Sequence, residues 1–110
     1  MVKYAPQRGD IVWLEFDPQK EKEIQKTRPA LVLSPLKYNE KIGLALFASI
    51  TSQVKGYPFE SALDTAEIQG AVLCDQIRSL DWRARKATYI TRVDEKQVAN
   101  ILQKLMVLLD

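Results

Sequence analysis

Apolar residues in this chain arrive in short bursts, and no uninterrupted apolar run exceeds five residues. Ile11–Leu14 (IVWL), Ala30–Leu33 (ALVL), Leu44–Ala48 (LALFA) and Ala71–Cys74 (AVLC) are each of strand length. Turn residues separate them at Gly9-Asp10, Asp17-Pro18, Ser34-Pro35 and Lys55-Gly56-Tyr57-Pro58. Runs this short are too brief to span a bilayer, which needs about 20 apolar residues in a helix. The pattern predicts strands at Ile11–Phe16, Arg28–Ser34, Leu44–Ile50, Phe59–Leu63, Ala71–Ile77 and Ala87–Arg92. A polar loop is expected from Gln19 to Thr27, and a short helical turn from Leu36 to Asn39.

The periodicity changes only at the C-terminus. Val98, Ile101, Leu102, Leu105 and Leu109 share one face at helical spacing, widened by Met106 and Leu108. Asp94 followed three residues later by Gln97 is close to a capping box. One helix is therefore expected from about Glu95 to Leu109, packed on the sheet. The fold class is mainly β with a C-terminal helix, a small, strongly curved antiparallel sheet or partly open barrel. One domain over residues 1–110 suits the length, and at this size no disulfide or metal is needed to stabilise a core.

Several chemistries drop out of the composition. There is no histidine, so Ser-His-Asp triads and histidine acid–base pairs are absent. Zinc sites of the usual ligand sets are not expected, and no cofactor fingerprint appears among the four glycines. The single cysteine, Cys74, lies in an apolar run and reads as a small core residue; it fits a reducing compartment. The N-terminus, MVKYAPQRGD, has no apolar signal core, which points to the cytoplasm. Net charge is only +2, but Arg78, Arg83, Arg85, Lys86 and Arg92 face a single acid, Asp81, in one stretch. Such a strip can follow a phosphate backbone, although a solvated face has the same composition.

Four motifs, in order and spacing, give the chain a resemblance to a known family. GDIVWLEFDP (Gly9–Pro18), TRPALVLSP (Thr27–Pro35), ITSQVKGYPFE (Ile50–Glu60) and the DQIRSLDWRAR region (Asp75–Arg85) together resemble the MazF/PemK toxins of bacterial toxin–antitoxin pairs. The resemblance implies a small SH3-like barrel, a homodimer, and metal-independent endoribonuclease activity on single-stranded RNA that arrests translation. It also implies 2′,3′-cyclic phosphate and 5′-hydroxyl ends, and an acidic, MazE-like antitoxin whose flexible tail occupies the RNA groove.

The residues can be matched to that chemistry. Attack of a ribose 2′-hydroxyl on the neighbouring phosphorus needs charge stabilisation, removal of the 2′ proton and a proton for the departing 5′-oxygen. Arg28, fixed by Pro29 ahead of a buried strand, presents paired planar donors that fit two phosphate oxygens; the resemblance gives it the catalytic role. Thr51, just after the third strand, stands where the family keeps a catalytic hydroxyl. Glu23, in the polar loop, is the candidate proton acceptor, although its charged neighbours suit a solvated run equally well. Lys55, Gln76, Arg78, Asn39 and Asp17 are candidates for holding phosphate or reading bases. Two alternatives stay open: a gyrase poison of the CcdB kind, disfavoured because no tryptophan follows Trp82, and a plain SH3-like module binding RNA or peptide.

Overall fold

The computed structural model describes residues 3–16 and 26–110. Among these described residues, six strands and two helices follow in order: β1 (Asp10–Phe16), β2 (Lys26–Val32), α1 (Leu36–Ile42), β3 (Leu44–Thr51), β4 (Glu60–Asp64), β5 (Gln69–Asp81), β6 (Thr88–Arg92) and α2 (Glu95–Val107). The strands form one sheet in the order β4-β5-β3-β2-β1-β6, and every pairing is antiparallel. The sheet curls into a half-barrel. Among the described residues, no helix is long and apolar enough to cross a membrane.

Alternation along the strands sorts the apolar residues onto two faces. Ile11, Leu31, Ala48 and Val72 point one way, where Val98 and Ile101 of α2 cover them. Val12, Leu14, Ala30, Val32, Phe47, Leu80 and Trp82 point the other way and pack against one another. This second face has mainly the N-terminal segment, Tyr4 and Ala5, against it. Cys74 is fully buried on the helix side, as expected of a core cysteine.

Expected boundaries moved where hydrogen bonding decided them. The strand expected over Arg28–Ser34 ends at Val32: Leu33 N–H still reaches Leu46 O (2.8 Å), but Leu46 N–H then donates to the Ser34 hydroxyl (2.8 Å) instead of to a backbone carbonyl. The turn expected over Leu36–Asn39 grows into the seven-residue α1, closed by Gly43 in the left-handed region (φ 82°). Gln97 forms no reciprocal capping box. Asp94 accepts from Lys96 N–H (2.7 Å), while the Gln97 amide reaches across to Ser61 Oγ (3.1 Å) and Ala62 O (2.5 Å) on β4. Helix α2 stops at Val107, and Leu109, expected on its buried face, is exposed.

Candidate active site

Pro29 carries no N–H and sits in the middle of β2, opposite Trp13 of β1. The register of β2 with β3 ends beside it, at Ala30 opposite Ser49. Arg28 and Thr51 each lie two residues beyond that last pair on their strands, and both line the same cavities. Past Pro29 the two strands are no longer laddered together, and the curled sheet opens there.

That opening is a groove. One cavity of about 400 Å³ has Leu14, Ala30, Phe47 and Leu80 as its floor, and Arg28, Ser49, Thr51, Gln76 and Arg78 as its polar wall. A second, of about 470 Å³, continues past Arg28 and Thr51 along Ser52, Gln53 and Gln69. The floor belongs to the self-packed face of the sheet, so the groove is the open end of the half-barrel interior. No acidic side chain lines either cavity among the described residues.

Two local irregularities bring the wall together. A bulge in the pairing of β3 with β5, between Ala48 and Ile50, leaves Leu73–Gln76 facing the single residue Ser49. Val72 and Cys74 point to the helix side, whereas beyond the bulge Gln76, Arg78 and Leu80 turn into the groove. Thr51 is set by its own turn: its hydroxyl oxygen accepts from Gln53 N–H (3.1 Å), which leaves the O–H proton available to an oxygen in the groove.

Of the expected site residues, Arg28, Thr51, Gln76 and Arg78 converge on this groove. Glu23 and Asp17 lie outside the described residues. Lys55 lies on the loop after Thr51 with an exposed side chain, and lines neither cavity. Asn39 requires a correction. It has no exposed surface, and its amide accepts from Ser34 Oγ (2.5 Å) and donates to Pro6 O (2.8 Å) and Ser34 O (3.0 Å). Every polar atom of the side chain is engaged inside the protein, so it has none to offer a base. Sequence reasoning missed Ser49, Gln53 and Gln69. Their types carry no signal, and only the register and the bulge place them on the wall.

The basic strip also divides. Arg78 enters the groove. Arg83 stacks over Trp82, 4.6 Å from the ring centroid, and with Lys3 and Lys86 lines a separate cavity. Arg85 donates to Glu15 O (3.2 Å), and Arg92 pairs with Asp10 at 2.8 Å. The charges share a stretch of sequence but not a surface.

An antiparallel half-barrel whose open end sets two arginines, a threonine hydroxyl and carboxamides over an apolar floor defines a protein with a basic, hydrogen-bonding groove of the kind that suits an anionic ligand. Comparison with known proteins gives the family. Residues 7–109 match the PemK-like, MazF-like toxin family of type II toxin–antitoxin systems. The chain is 45% identical over 107 residues to the endoribonuclease toxin MazF of Escherichia coli K12, covering 97% of this chain and 96% of that one. It is 34% identical over 117 residues to the endoribonuclease toxin ChpB of the same strain, covering 100% of each. A crystal structure of MazE-MazF from Deinococcus radiodurans superposes with a TM-score of 0.90 at 44% identity, covering 97% of both chains. The chain belongs to the PemK/MazF family.

Proposed function

We propose that this endoribonuclease toxin holds single-stranded RNA in the groove at the open end of its half-barrel and cuts it there without a metal ion. The observation that carries the reading is the shared cavity wall of Arg28, Thr51 and Arg78, just beyond the point where the β2–β3 ladder ends. A phosphodiester seated between them meets guanidinium donors on its non-bridging oxygens and a hydroxyl donor beside them. The 2′-oxygen attacks phosphorus, the 2′ proton departs, and the P–O5′ bond breaks as the 5′-oxygen takes up a proton. The products are a 2′,3′-cyclic phosphate and a 5′-hydroxyl. Arg28 acts on the charge that grows on the pentavalent phosphorus. The apolar floor beneath lowers the local polarity and so strengthens that interaction. Gln76 offers an amide to a splayed-out base. Glu23 remains the candidate proton acceptor, and Asp17 and Lys55 remain candidates for holding phosphate or reading bases.

The wider assembly follows the same reading. A groove lined by arginines and carboxamides suits an acidic peptide as well as RNA, so a MazE-like antitoxin tail competes for it; the D. radiodurans relative was crystallised as MazE-MazF. The working unit is a homodimer in the cytoplasm, where messenger RNA is translated.

The test is cleavage of varied single-stranded RNAs in EDTA, with fragment ends sequenced. The wild-type chain cuts and leaves cyclic phosphates. Arg28→Ala, an exposed position, folds normally and loses on the order of 10²-fold in kcat. RNA left intact by the wild-type chain across many sequences, with EDTA present, defeats the reading.

A further inference from the structure

Glu60 opens β4, and only 9% of its surface is exposed. Its carboxylate is turned back on the loop that leads from Thr51. Lys55 N–H lies 3.2 and 3.1 Å from its two oxygens, and Gly56 N–H donates at 2.8 Å. Two successive backbone amides thus converge on one anion, a nest supplied by the chain itself. Gly56, with φ of 77° and open space where a side chain would stand, provides the left-handed turn that aims them. Glu60 is anchored in turn: it pairs with Leu73 of β5, its N–H donates to Tyr57 O (3.0 Å), and its carbonyl accepts from Lys104 Nζ of α2 (2.9 Å).

The loop it clasps forms part of the groove. Ser52 and Gln53 line the cavity beside Arg28, and Gln53 N–H holds the Thr51 hydroxyl. Glu60 lines neither cavity, so whatever it does for substrate it does through the loop. A buried carboxylate is costly unless hydrogen-bonded, and this one is stabilised by the very amides whose position it fixes.

We propose that Glu60 is a positioning residue for substrate recognition. Its carboxylate closes the far end of the Ser52–Phe59 loop, so that Ser52, Gln53 and Lys55 meet the nucleotides flanking the cut in one preset arrangement. This rests on the reading that the groove takes RNA. Thr51 depends on the clasp much less. It pairs with Ala71 of β5, and its carbonyl packs against Gly70. Loss of the clasp therefore falls on binding and base selection rather than on the chemical step.

Wild type, Glu60→Ala, Glu60→Gln and Arg28→Ala are compared on RNA libraries, with KM, kcat, cut-site preference and exchange of individual backbone amides measured. Glu60→Ala raises KM about tenfold, leaves kcat within about threefold, and broadens cut-site preference. Its Lys55 and Gly56 amides exchange faster while the β3 and β5 amides stay protected. Glu60→Gln keeps one acceptor oxygen and falls between, with KM up about threefold. Wild-type KM and cut-site preference in Glu60→Ala overturn the proposal. So does a loss shared by kcat, KM and amide protection across the whole sheet. If Glu60→Ala does not fold, Glu60→Gln decides by the same split. Full cleavage by Arg28→Ala, by contrast, defeats the groove reading itself, whatever Glu60 does.

Discussion

A Cβ on Gly70 would stand 2.1 Å from the carbonyl oxygen of Thr51 and 3.0 Å from its carbonyl carbon. The start of β5 therefore lies against the backbone of the proposed catalytic hydroxyl, at an approach only glycine permits. Gly70 also has φ of 136°, where L side chains carry strain. Gly70→Ala has to move one strand or the other, because the obstacle is backbone rather than a flexible side chain. The expected result is a loss of about 3 kcal/mol in stability, a melting point ~10 °C lower, and kcat reduced at least ~10-fold at temperatures where the variant is folded. Calorimetry and single-turnover cleavage check it. Unchanged turnover would mean that the Thr51 backbone can shift without cost to the reaction.

The fold was legible in the sequence because its cause is local: short apolar bursts between turn residues, then one change of period. The site was legible in part. Arg28-Pro29 announces itself as a charged residue at a place where a strand cannot keep its full ladder, and Thr51 ends the apolar run of β3. What brings Gln76 and Arg78 to the same wall is the bulge opposite Ser49, which reverses the facing of β5 partway along. A bulge depends on pairing with a distant strand, so no window of sequence displays it. Asn39 failed for the opposite reason. A polar residue near a turn reads as exposed, and only the closing of α1 against Pro6 and Ser34 shows that it is buried.

That burial makes Asn39 a point of stability rather than of substrate contact. Its amide ties α1 to the N-terminal segment, and its carbonyl oxygen accepts the Trp82 indole N–H (3.0 Å). Asn39→Ala keeps the carbonyl but leaves the Ser34 hydroxyl and two backbone carbonyls without their amide partner. The expected cost is roughly 3 kcal/mol, or a melting point ~10 °C lower. Cut-site preference, read by sequencing fragment ends well below the melting temperature, stays as in the wild type. A changed preference would return Asn39 to base reading.

Asp10, at the start of β1, gathers the same N-terminal segment. Its buried carboxylate accepts from Tyr4 Oη (2.6 Å), Gln7 N–H (3.0 Å) and Arg92 Nη1 (2.8 Å). Burial first, then the hydrogen bond to Asp10 and the repulsion of its charge, push the Tyr4 hydroxyl far above its ordinary value of 10.0. The folded chain keeps this phenol neutral where the unfolded chain ionises it. Its contribution to stability is therefore full below pH ~10 and is lost as pH rises beyond that toward the folded-state value. Tyr4→Phe removes both the hydrogen bond and the titration. At neutral pH the variant is less stable by about 1 kcal/mol, because Asp10 loses one donor. Above pH ~10 the wild type gives up stability that the variant no longer has to lose, so the gap between them narrows. Urea midpoints for both chains from pH 7 to pH 11 measure that gap, and lysine titration, common to both, cancels in the difference. A gap that stays constant across pH 10 would show that Tyr4 ionises as readily in the folded protein as in the unfolded chain.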